Sequence, residues 1–512
     1  MVIRSTAFNG TAAFTPGSGC NDEAHFLPAR QGILLALREL DRTVLGRIFC
    51  RDESKGRVVR VIVVGAGISG LTIAHALLRK QPDIDLRIFE KDTRVGGKVW
   101  TEQTPEGYAC EWGVNGFLNN KPRTLELAKD LRLEVHAARA EAARRYVYRS
   151  GALHQLPESP PAFLTSGLMS IPGRLRVLCE PFIPRGSVPD EILAEFARRR
   201  LGPEARDALI DPMAAGVFAG KPDEMSLKSC FPRIHDIEME FGSLIRGMVQ
   251  LKWRAKKEGK GPGPGPGPAG RLSSFSTGMS LLTDALADRL GERLQTGLAV
   301  NRLAPAAKRW QVQLSDGSIE EADQVVLTVP AFAQSEMLRE LAPDLSELVG
   351  QIQYPPLSVV CLGFDEQQLG AHLDGFGFLV PSTEDRDILG TVVDSNVFDA
   401  RAPEGKVLFR TMLGGARSPE TARLPESQLF DRVRKDLRDI LGIDREPEFG
   451  RAYLHEHAIP QYRPGHAQRL DDIRASVARY PGLHLGGNAY RGVSLNDCVD
   501  NGWRIAGNLL SN

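Results

Sequence analysis

The chain has 512 residues, 42% of them hydrophobic, and its 64 lysines and arginines balance 64 aspartates and glutamates, the profile of an ordinary soluble globular protein. At about 100–200 residues per domain this length gives two or three domains, and the balanced charge gives no reason to expect a nucleic-acid partner. Seven scattered cysteines without CxxC spacing provide neither a zinc knuckle nor a disulfide framework, and no apolar run reaches spanning length.

Residues 1–56 read as an N-terminal extension without a packed core, holding one short helix over Gly32 to Ile48. The first 30 residues lack an apolar core of signal-peptide length, and Asp22 and Glu23 argue against a targeting presequence. Val58 to Val64 is a short β-branched run, the pattern of a buried parallel strand. GAGISG follows, with Gly65, Gly67 and Gly70, and the chain continues as a helix through about Arg79. The first glycine makes a tight turn, the second lets backbone approach a pyrophosphate, and the third lets the helix lie close to its strand. A second strand, IDLRIFE, ends at Glu90, where an acid is expected to accept from a ribose hydroxyl. Strand, turn, helix, strand and acid in this order predict dinucleotide binding.

Arg94, Gly96, Gly97 and Lys98 come next, and GYACEWGVNGF adds a glycine-rich turn at Gly113 and Gly116. This segment resembles the extended signature of the flavin-dependent amine oxidase superfamily, which implies FAD as the cofactor. Trp112 reads equally well as a core aromatic.

Val147 to Gly186 is rich in proline and apolar residues, with Arg174, Arg176 and Arg185 interspersed. A membrane-facing surface, the lining of an apolar pocket and packing in a helical domain all fit it. EILAEFARRRLGPEARDALIDPMAAGVFAG reads as helices, and the Gly-Pro repeat before Gly270 as an exposed loop. Beyond it come a loop and helix, alternating strands with a turn at Asp316-Gly317, and the buried strand QVVLTVP, which returns to the nucleotide-binding domain. A second sheet is expected from about Leu341 to Arg451, and the C-terminus reads as strand, glycine-rich loop and helix. His455, His457 and His466 lack the HExxH arrangement, so no metal is expected.

Four stretches carry a broader resemblance: GVFAGKPDEMSLKSCFPRIHDIEMEFGSLI (Gly216 to Ile245), GFGFLVPS (Gly375 to Ser382), AIPQYRPGH (Ala458 to His466) and GGNAYRGVSLNDCVDNG (Gly486 to Gly502). With them the chain resembles the oxygen-dependent protoporphyrinogen oxidase family from about Val58 onward. The resemblance implies an α/β fold: a Rossmann-like FAD-binding domain assembled from discontinuous segments, a mixed-sheet substrate domain and an inserted helical, membrane-associated domain. The expected division is extension 1–56, FAD-binding segments 57–140, 271–340 and 452–512, helical domain 141–230, a substrate-domain segment with the Gly-Pro loop over 231–270, and substrate domain 341–451.

By the same resemblance, the FAD contacts are Gly65, Ala66, Gly67, Ile68, Ser69, Gly70, Glu90, Lys91, Gly97, Lys98, Gly113, Val114, Asn115, Gly116, Val300, Val493, Ser494 and Leu495. Arg145 matches an arginine that pairs with a propionate, with Arg144 competing; Phe376, Phe378 and Gly216 complete the expected substrate wall. The implied reaction is a six-electron oxidation of protoporphyrinogen IX by dioxygen in heme or chlorophyll synthesis. Coproporphyrinogen III is the alternative substrate; an amine oxidase or carotenoid desaturase is a more distant one. No general base is named, and Asn488 and Asn496 are candidates only for orienting a proton or water. Expected partners are a tetrapyrrole, dioxygen, a peripheral cytoplasmic membrane surface and a ferrochelatase-type enzyme, with a homodimer left open. The resemblance departs at the Gly113–Gly116 turn, where a proline common in the family is absent.

Overall fold

The computed structural model describes residues 59–257, 270–369 and 373–511; the expected extension, its short helix and the Gly-Pro repeat lie outside them. Two large sheets carry the described fold. The first is parallel and five-stranded, in the order Leu294–Gln295, β2 (Asp85–Phe89), β1 (Arg60–Val64), Gln324–Leu327 and Leu483–Leu485. Its central strands are near-continuous apolar runs because helices or a second layer cover both faces. On one face α1 (Ile68–Lys80) packs against the helices Ser280–Leu290 and Leu495–Leu509. On the other lie an antiparallel three-stranded sheet (Val300–Ala306, Arg309–Leu314, Ile319–Ala322) and the helices Ala331–Leu338 and Pro343–Gly350. The Asp316-Gly317 turn joins two of these strands, with Gly317 at φ 87°. A Rossmann-like layer is thus assembled from segments far apart in the chain.

The second sheet is mixed and seven-stranded: Phe449–His455, Leu357–Asp365, Lys406–Gly414, Ile388–Val393, Gly377–Leu379, Arg145–Arg149 and Ala152–Gln155. The helix Glu426–Leu441 covers one face with Leu429, Val433 and Leu437. The opposite face meets Tyr108, Cys110 and Trp112 from the nucleotide-binding side.

Two expectations are corrected here. The span 141–230 does not begin as helix: Arg145–Arg149 and Ala152–Gln155 form a hairpin on the edge of the second sheet, turning at Ser150 and Gly151 with positive φ. The alternation in RYVYR is a strand signal, outweighed in the sequence by the proline-rich stretch after it. The span 231–270, assigned to the substrate domain, instead supplies the helices Pro232–Phe241 and Leu244–Lys257. Phe231, Ile234 and Leu244 pack into the same helical core as Leu193, Phe196 and Phe218. Fully buried Arg200 ties these helices together through ion pairs to Glu180 (3.1 Å) and Glu238 (2.5 Å). Among the described residues no helix is long and apolar enough to cross a membrane.

Candidate active site

The β1–α1 turn is built by steric demand. Gly65 sits at φ 101° and its amide donates to the Phe89 carbonyl (2.8 Å). A Cβ on Gly70 would overlap the Gly65 carbonyl oxygen, so α1 approaches its strand only because that residue is glycine. The Thr328 hydroxyl donates to the carbonyls of Val64 (2.9 Å) and Gly65 (3.0 Å), locking the turn from the neighbouring strand. A Cβ on Gly67 would meet nothing within 4 Å, whereas one on Gly97 would stand 3.5 Å from the Gly67 Cα. The two glycines therefore line one open shelf. Gly67 is the N-cap of α1, without a side-chain cap or an acidic residue in the first turn. Free amides and the positive helix end make this shelf fit for a pyrophosphate.

Glu90 follows β2. Its Oε2 accepts from the Ala66 amide (2.7 Å) and its Oε1 from the Asp92 amide (3.0 Å). An ionised carboxylate offers about four acceptor positions, so capacity remains for a ribose hydroxyl. The Leu298 amide donates to the Glu90 carbonyl and the Gly297 amide to that of Asp92 (both 2.9 Å), bringing the approach to buried Val300 alongside. Lys91 is exposed.

Lys98 occupies the next part of the site. Burial pulls its pKa down to about 8, and its ammonium lies 5.0 Å from the ring centroid of Tyr354. A buried cation of this kind gains from an anionic ligand. The Lys98 carbonyl fits against Gly113, where a Cβ would overlap it, and a Cβ on Gly116 would come within 2.7 Å of the Ser273 carbonyl oxygen. Val114 packs against the core around α1. Asn115 has both amide atoms buried without a well-formed hydrogen bond. In the C-terminal loop Ser494 caps the helix Leu495–Leu509 by accepting from the Asp497 amide (3.2 Å); Leu495 is buried and Val493 packs toward the helical core. Close packing at Gly502 brings this helix against Thr72 and the Ser69 carbonyl, so Ile68, Ser69 and the C-terminal loop border one region. The open shelf, the uncapped helix and the desolvated lysine together fit FAD.

Trp112 is a core aromatic: buried, donating to Glu102 (2.8 Å) and packed with Trp100 and Tyr453. His455 contacts its carbonyl (2.7 Å), His457 packs on Phe332, and His466 stacks on Tyr462 with burial holding its pKa down to about 4. Among the described residues no three His, Cys, Asp or Glu side chains are grouped to hold a metal ion. Asn496 is committed to Thr124 and the Leu118 carbonyl, and the Asn488 carbonyl accepts from Tyr462.

On the substrate side, exposed Arg145 holds its guanidinium 5.1 Å from the ring centroid of Phe376, and desolvation is the main pull lowering its pKa. Arg144 instead pairs with Asp374 (3.1 Å), and Arg149 with Glu204 (3.4 Å). Phe378 does not join Phe376. Gly377, at φ 141°, separates the two rings: Phe376 packs with Ala138, Val392 and Phe398, while Phe378, 2% exposed, is sealed among Tyr148, Val360 and Phe409. A substrate ring cannot reach Phe378, which corrects its place in the expected wall. Gly216 lets its helix approach the Gly377–Leu379 strand, since a Cβ there would touch Leu379 at 3.0 Å.

Sequence reasoning missed Thr328 and Tyr354, which carry no motif. It also missed a buried set of ionisable groups, Glu111, Asp394, Arg401 and Arg410, joined by pairs at 3.1 Å (Arg401–Glu111) and 2.9 Å (Arg410–Asp394). Burial raises the pKa of Glu111 to about 7 against the opposing pull of Arg401, and it raises that of Asp394 against Arg410.

Comparison with known proteins agrees with this geometry. Residues 68–510 match the flavin containing amine oxidoreductase family. The chain is 31% identical over 466 residues to coproporphyrinogen III oxidase of Bacillus subtilis, covering 88% of this chain and 98% of that protein. It is 35% identical over 481 residues to Homo sapiens protoporphyrinogen oxidase, again covering 88% and 98%. A crystal structure from Exiguobacterium sp. 255-15, provisionally described as a protoporphyrinogen oxidase, superposes with a TM-score of 0.76 at 26% identity, covering 89% of this chain and all of that one.

Proposed function

Because the chain belongs to the flavin containing amine oxidoreductase family, in its protoporphyrinogen and coproporphyrinogen oxidase branch, we propose that it binds FAD and oxidises protoporphyrinogen IX to protoporphyrin IX. It is a porphyrinogen-oxidising enzyme of tetrapyrrole biosynthesis. FAD, when bound, supplies the hydride acceptor that dioxygen regenerates with release of hydrogen peroxide. The Gly67–Gly97 shelf and the α1 N-terminus would hold its pyrophosphate, Glu90 its ribose and Lys98 an anionic oxygen, and the Gly113–Gly116 turn with Val493 to Leu495 would complete the cofactor site. Arg145 holds a propionate while Phe376 offers an apolar face to a pyrrole ring.

The observation that carries the choice of substrate is how few cations are uncommitted at this wall. Arg144 and Arg149 are in ion pairs, whereas Arg145 has no carboxylate within 4 Å among the described residues. One available guanidinium suits the two propionates of protoporphyrinogen better than the four of coproporphyrinogen. The similarity to the Bacillus subtilis enzyme keeps coproporphyrinogen III as the second reading. Anaerobic mixing of the flavin-loaded protein with each porphyrinogen, read as flavin bleaching and then porphyrin fluorescence in air, tests both. Faster bleaching by protoporphyrinogen supports the proposal, faster bleaching by coproporphyrinogen replaces it, and none with either rejects both.

The exposed Ile171, Leu175, Leu178 and Phe182 supply a surface for peripheral membrane attachment on the cytoplasmic side.

A further inference from the structure

Each two-electron step of the proposed oxidation breaks a C–H bond, whose electron pair leaves as hydride to the cofactor. It also releases one proton: over the three steps two protons come from N–H bonds, whose electron pairs stay on nitrogen, and one comes from the fourth meso carbon by tautomerisation through nitrogen. That proton needs an acceptor near the substrate wall. Asp374, two residues before Phe376, is held by Arg144 (3.1 Å) and the Tyr146 hydroxyl (2.9 Å), and the charge of Glu158 is set against Arg145.

We propose that the buried quartet of Glu111, Asp394, Arg401 and Arg410, entered at Asn115, holds ordered water and takes up the proton released with each hydride. The inference rests on the porphyrinogen-oxidase reading above.

Position supports it first. Asp394 directly follows the strand Ile388–Val393, whose Val392 packs with Phe376 and whose Val393 amide donates to the Phe376 carbonyl (2.9 Å). Asn115, on the candidate cofactor turn, lies close enough to Asp394 to favour its carboxylate. One carboxylate therefore borders both the substrate wall and the cofactor turn. Glu111 lies four residues before Asn115, with Oε2 accepting from the Thr101 hydroxyl (2.8 Å) and Oε1 from the Met279 amide (2.9 Å).

Unspent hydrogen-bonding capacity is the second, independent observation. Arg401 donates through Nη2 to Ser274 (2.8 Å) and pairs with Glu111, but its Nε and Nη1 have no protein partner. Asp394 uses Oδ2 on the Arg410 Nε, and, their contact with each other aside, neither its Oδ1 nor the Asn115 amide makes a well-formed hydrogen bond. A buried polar atom left unsatisfied costs roughly 1–3 kcal/mol. Donors and acceptors mixed in one buried place are what a water with two to four partners requires.

The quartet sets two acids against two guanidinium groups, so one added proton leaves a net positive charge, which water at the unpartnered Arg401 Nε and Nη1 would solvate. Glu111, raised to about 7 by burial, is poised to accept and return it; the charged groups acting on it are Arg401, which opposes the rise, and Asp394, which adds to it. Asp394 faces Arg410 and Arg401, and the buried thiols of Cys110 and Cys361 lie alongside. In sequence, the proton passes from the pyrrole nitrogen through water at Asn115 to Asp394, then to Glu111, whose carboxylate becomes the acid. Glu111 returns it when dioxygen is reduced to hydrogen peroxide, a step that consumes a proton.

The test begins with the flavin-free protein. A high-resolution crystal structure should show water bridging Asp394, Arg401 and Asn115, and infrared difference spectra between pH 6 and 8 should show a protonated-carboxyl band that Glu111→Gln removes. A dry quartet, or an unchanged band in that variant, overturns the proposal. In the flavin-loaded protein, Glu111→Gln and Asp394→Asn should slow anaerobic flavin reduction by porphyrinogen by about 10-fold or more and flatten its pH profile near 7. Asn115→Leu, which closes the entrance and leaves the quartet in place, should do the same if the others fail to fold. Wild-type bleaching with unchanged variant rates and pH profile rejects the relay alone. A wild type that no porphyrinogen bleaches rejects the functional reading, and the flavin-free measurements still decide on the quartet.

Discussion

The guanidinium of Arg145 lies 5.1 Å from the ring centroid of Phe376, an apolar face and a cation held side by side on the edge of the second sheet. A charge-assisted hydrogen bond to a propionate contributes roughly 1.5–3 kcal/mol, so Arg145→Ala should lower kcat/KM for a porphyrinogen by about 10- to 100-fold. FAD content should not change. Arg144→Ala should matter less, because Arg144 is already spent on Asp374. Equal effects at the two positions, or none at Arg145, would remove Arg145 from the substrate site.

Gly67 and Gly70 separate cofactor binding from folding. A side chain at Gly67 enters open space, so Gly67→Val should fold with an unchanged flavin-free Tm and purify colourless. A side chain at Gly70 collides with the Gly65 backbone, and Gly70→Val should lose soluble protein altogether through a clash worth at least about 1–3 kcal/mol. Yellow Gly67→Val protein would place the pyrophosphate elsewhere.

These two glycines also mark how far the sequence is legible. Gly65, Gly70 and Glu90 are demanded by local sterics and strand-end chemistry, within one turn and two short strands, and local demands leave local patterns. The buried strand after Asp323 is equally readable from its apolar run. The Arg145–Arg149 strand and its hairpin partner Ala152–Gln155 are local too, but their place on the second sheet is not readable, because the strand they join, Gly377–Leu379, lies far along the chain. Phe376 and Phe378 look equivalent in sequence, and only the backbone at Gly377 sends one to the wall and the other into the core. The meeting of Asn115 with Asp394, and of Lys98 with Tyr354, is a product of sheet packing for which no motif exists.

Lys98 should leave a signature in the pH dependence of stability. Its folded pKa, about 8, lies below the ordinary 10.5, so between these values the unfolded chain binds the extra proton and stability rises with pH. The full effect is at most about 3 kcal/mol. Urea unfolding of the flavin-free protein at pH 7 and pH 10.5 should therefore show a rise that Lys98→Met lacks. FAD should shrink the difference by supplying an anion to the ammonium. A wild type and a Lys98→Met variant with the same pH slope would contradict this burial.

Arg200 should carry the integrity of the helical layer. It is fully buried, paired with Glu180 and Glu238, and donates to the Ile183 (2.8 Å) and Gly242 (2.9 Å) carbonyls. Removing one partner of a buried pair costs about 3–5 kcal/mol because it strands the other charge. Arg200→Ala should become sensitive to proteolysis between residues 180 and 245 while the β1–α1 region stays protected. A variant as resistant as wild type would show that packing alone holds these helices.

The helix Ile171–Leu178 exposes Ile171, Leu175 and Leu178 on one side, and Phe182, 81% exposed, follows it. Aliphatic residues four and three apart share a helix face, and no described element covers this one. Fully withdrawing such a side chain from water contributes roughly 1.5–3 kcal/mol, so Leu175→Glu and Phe182→Glu should each weaken binding to lipid vesicles by about 10-fold or more. Arg174 lies on the same helix, three residues after Ile171, which predicts tighter binding to vesicles containing phosphatidylglycerol than to phosphatidylcholine alone, with the preference fading at high salt. Because the face lies on the helical layer, the variants should keep wild-type turnover in detergent. Wild-type protein that fails to float with either vesicle would return these side chains to a protein contact and remove the membrane from the functional account.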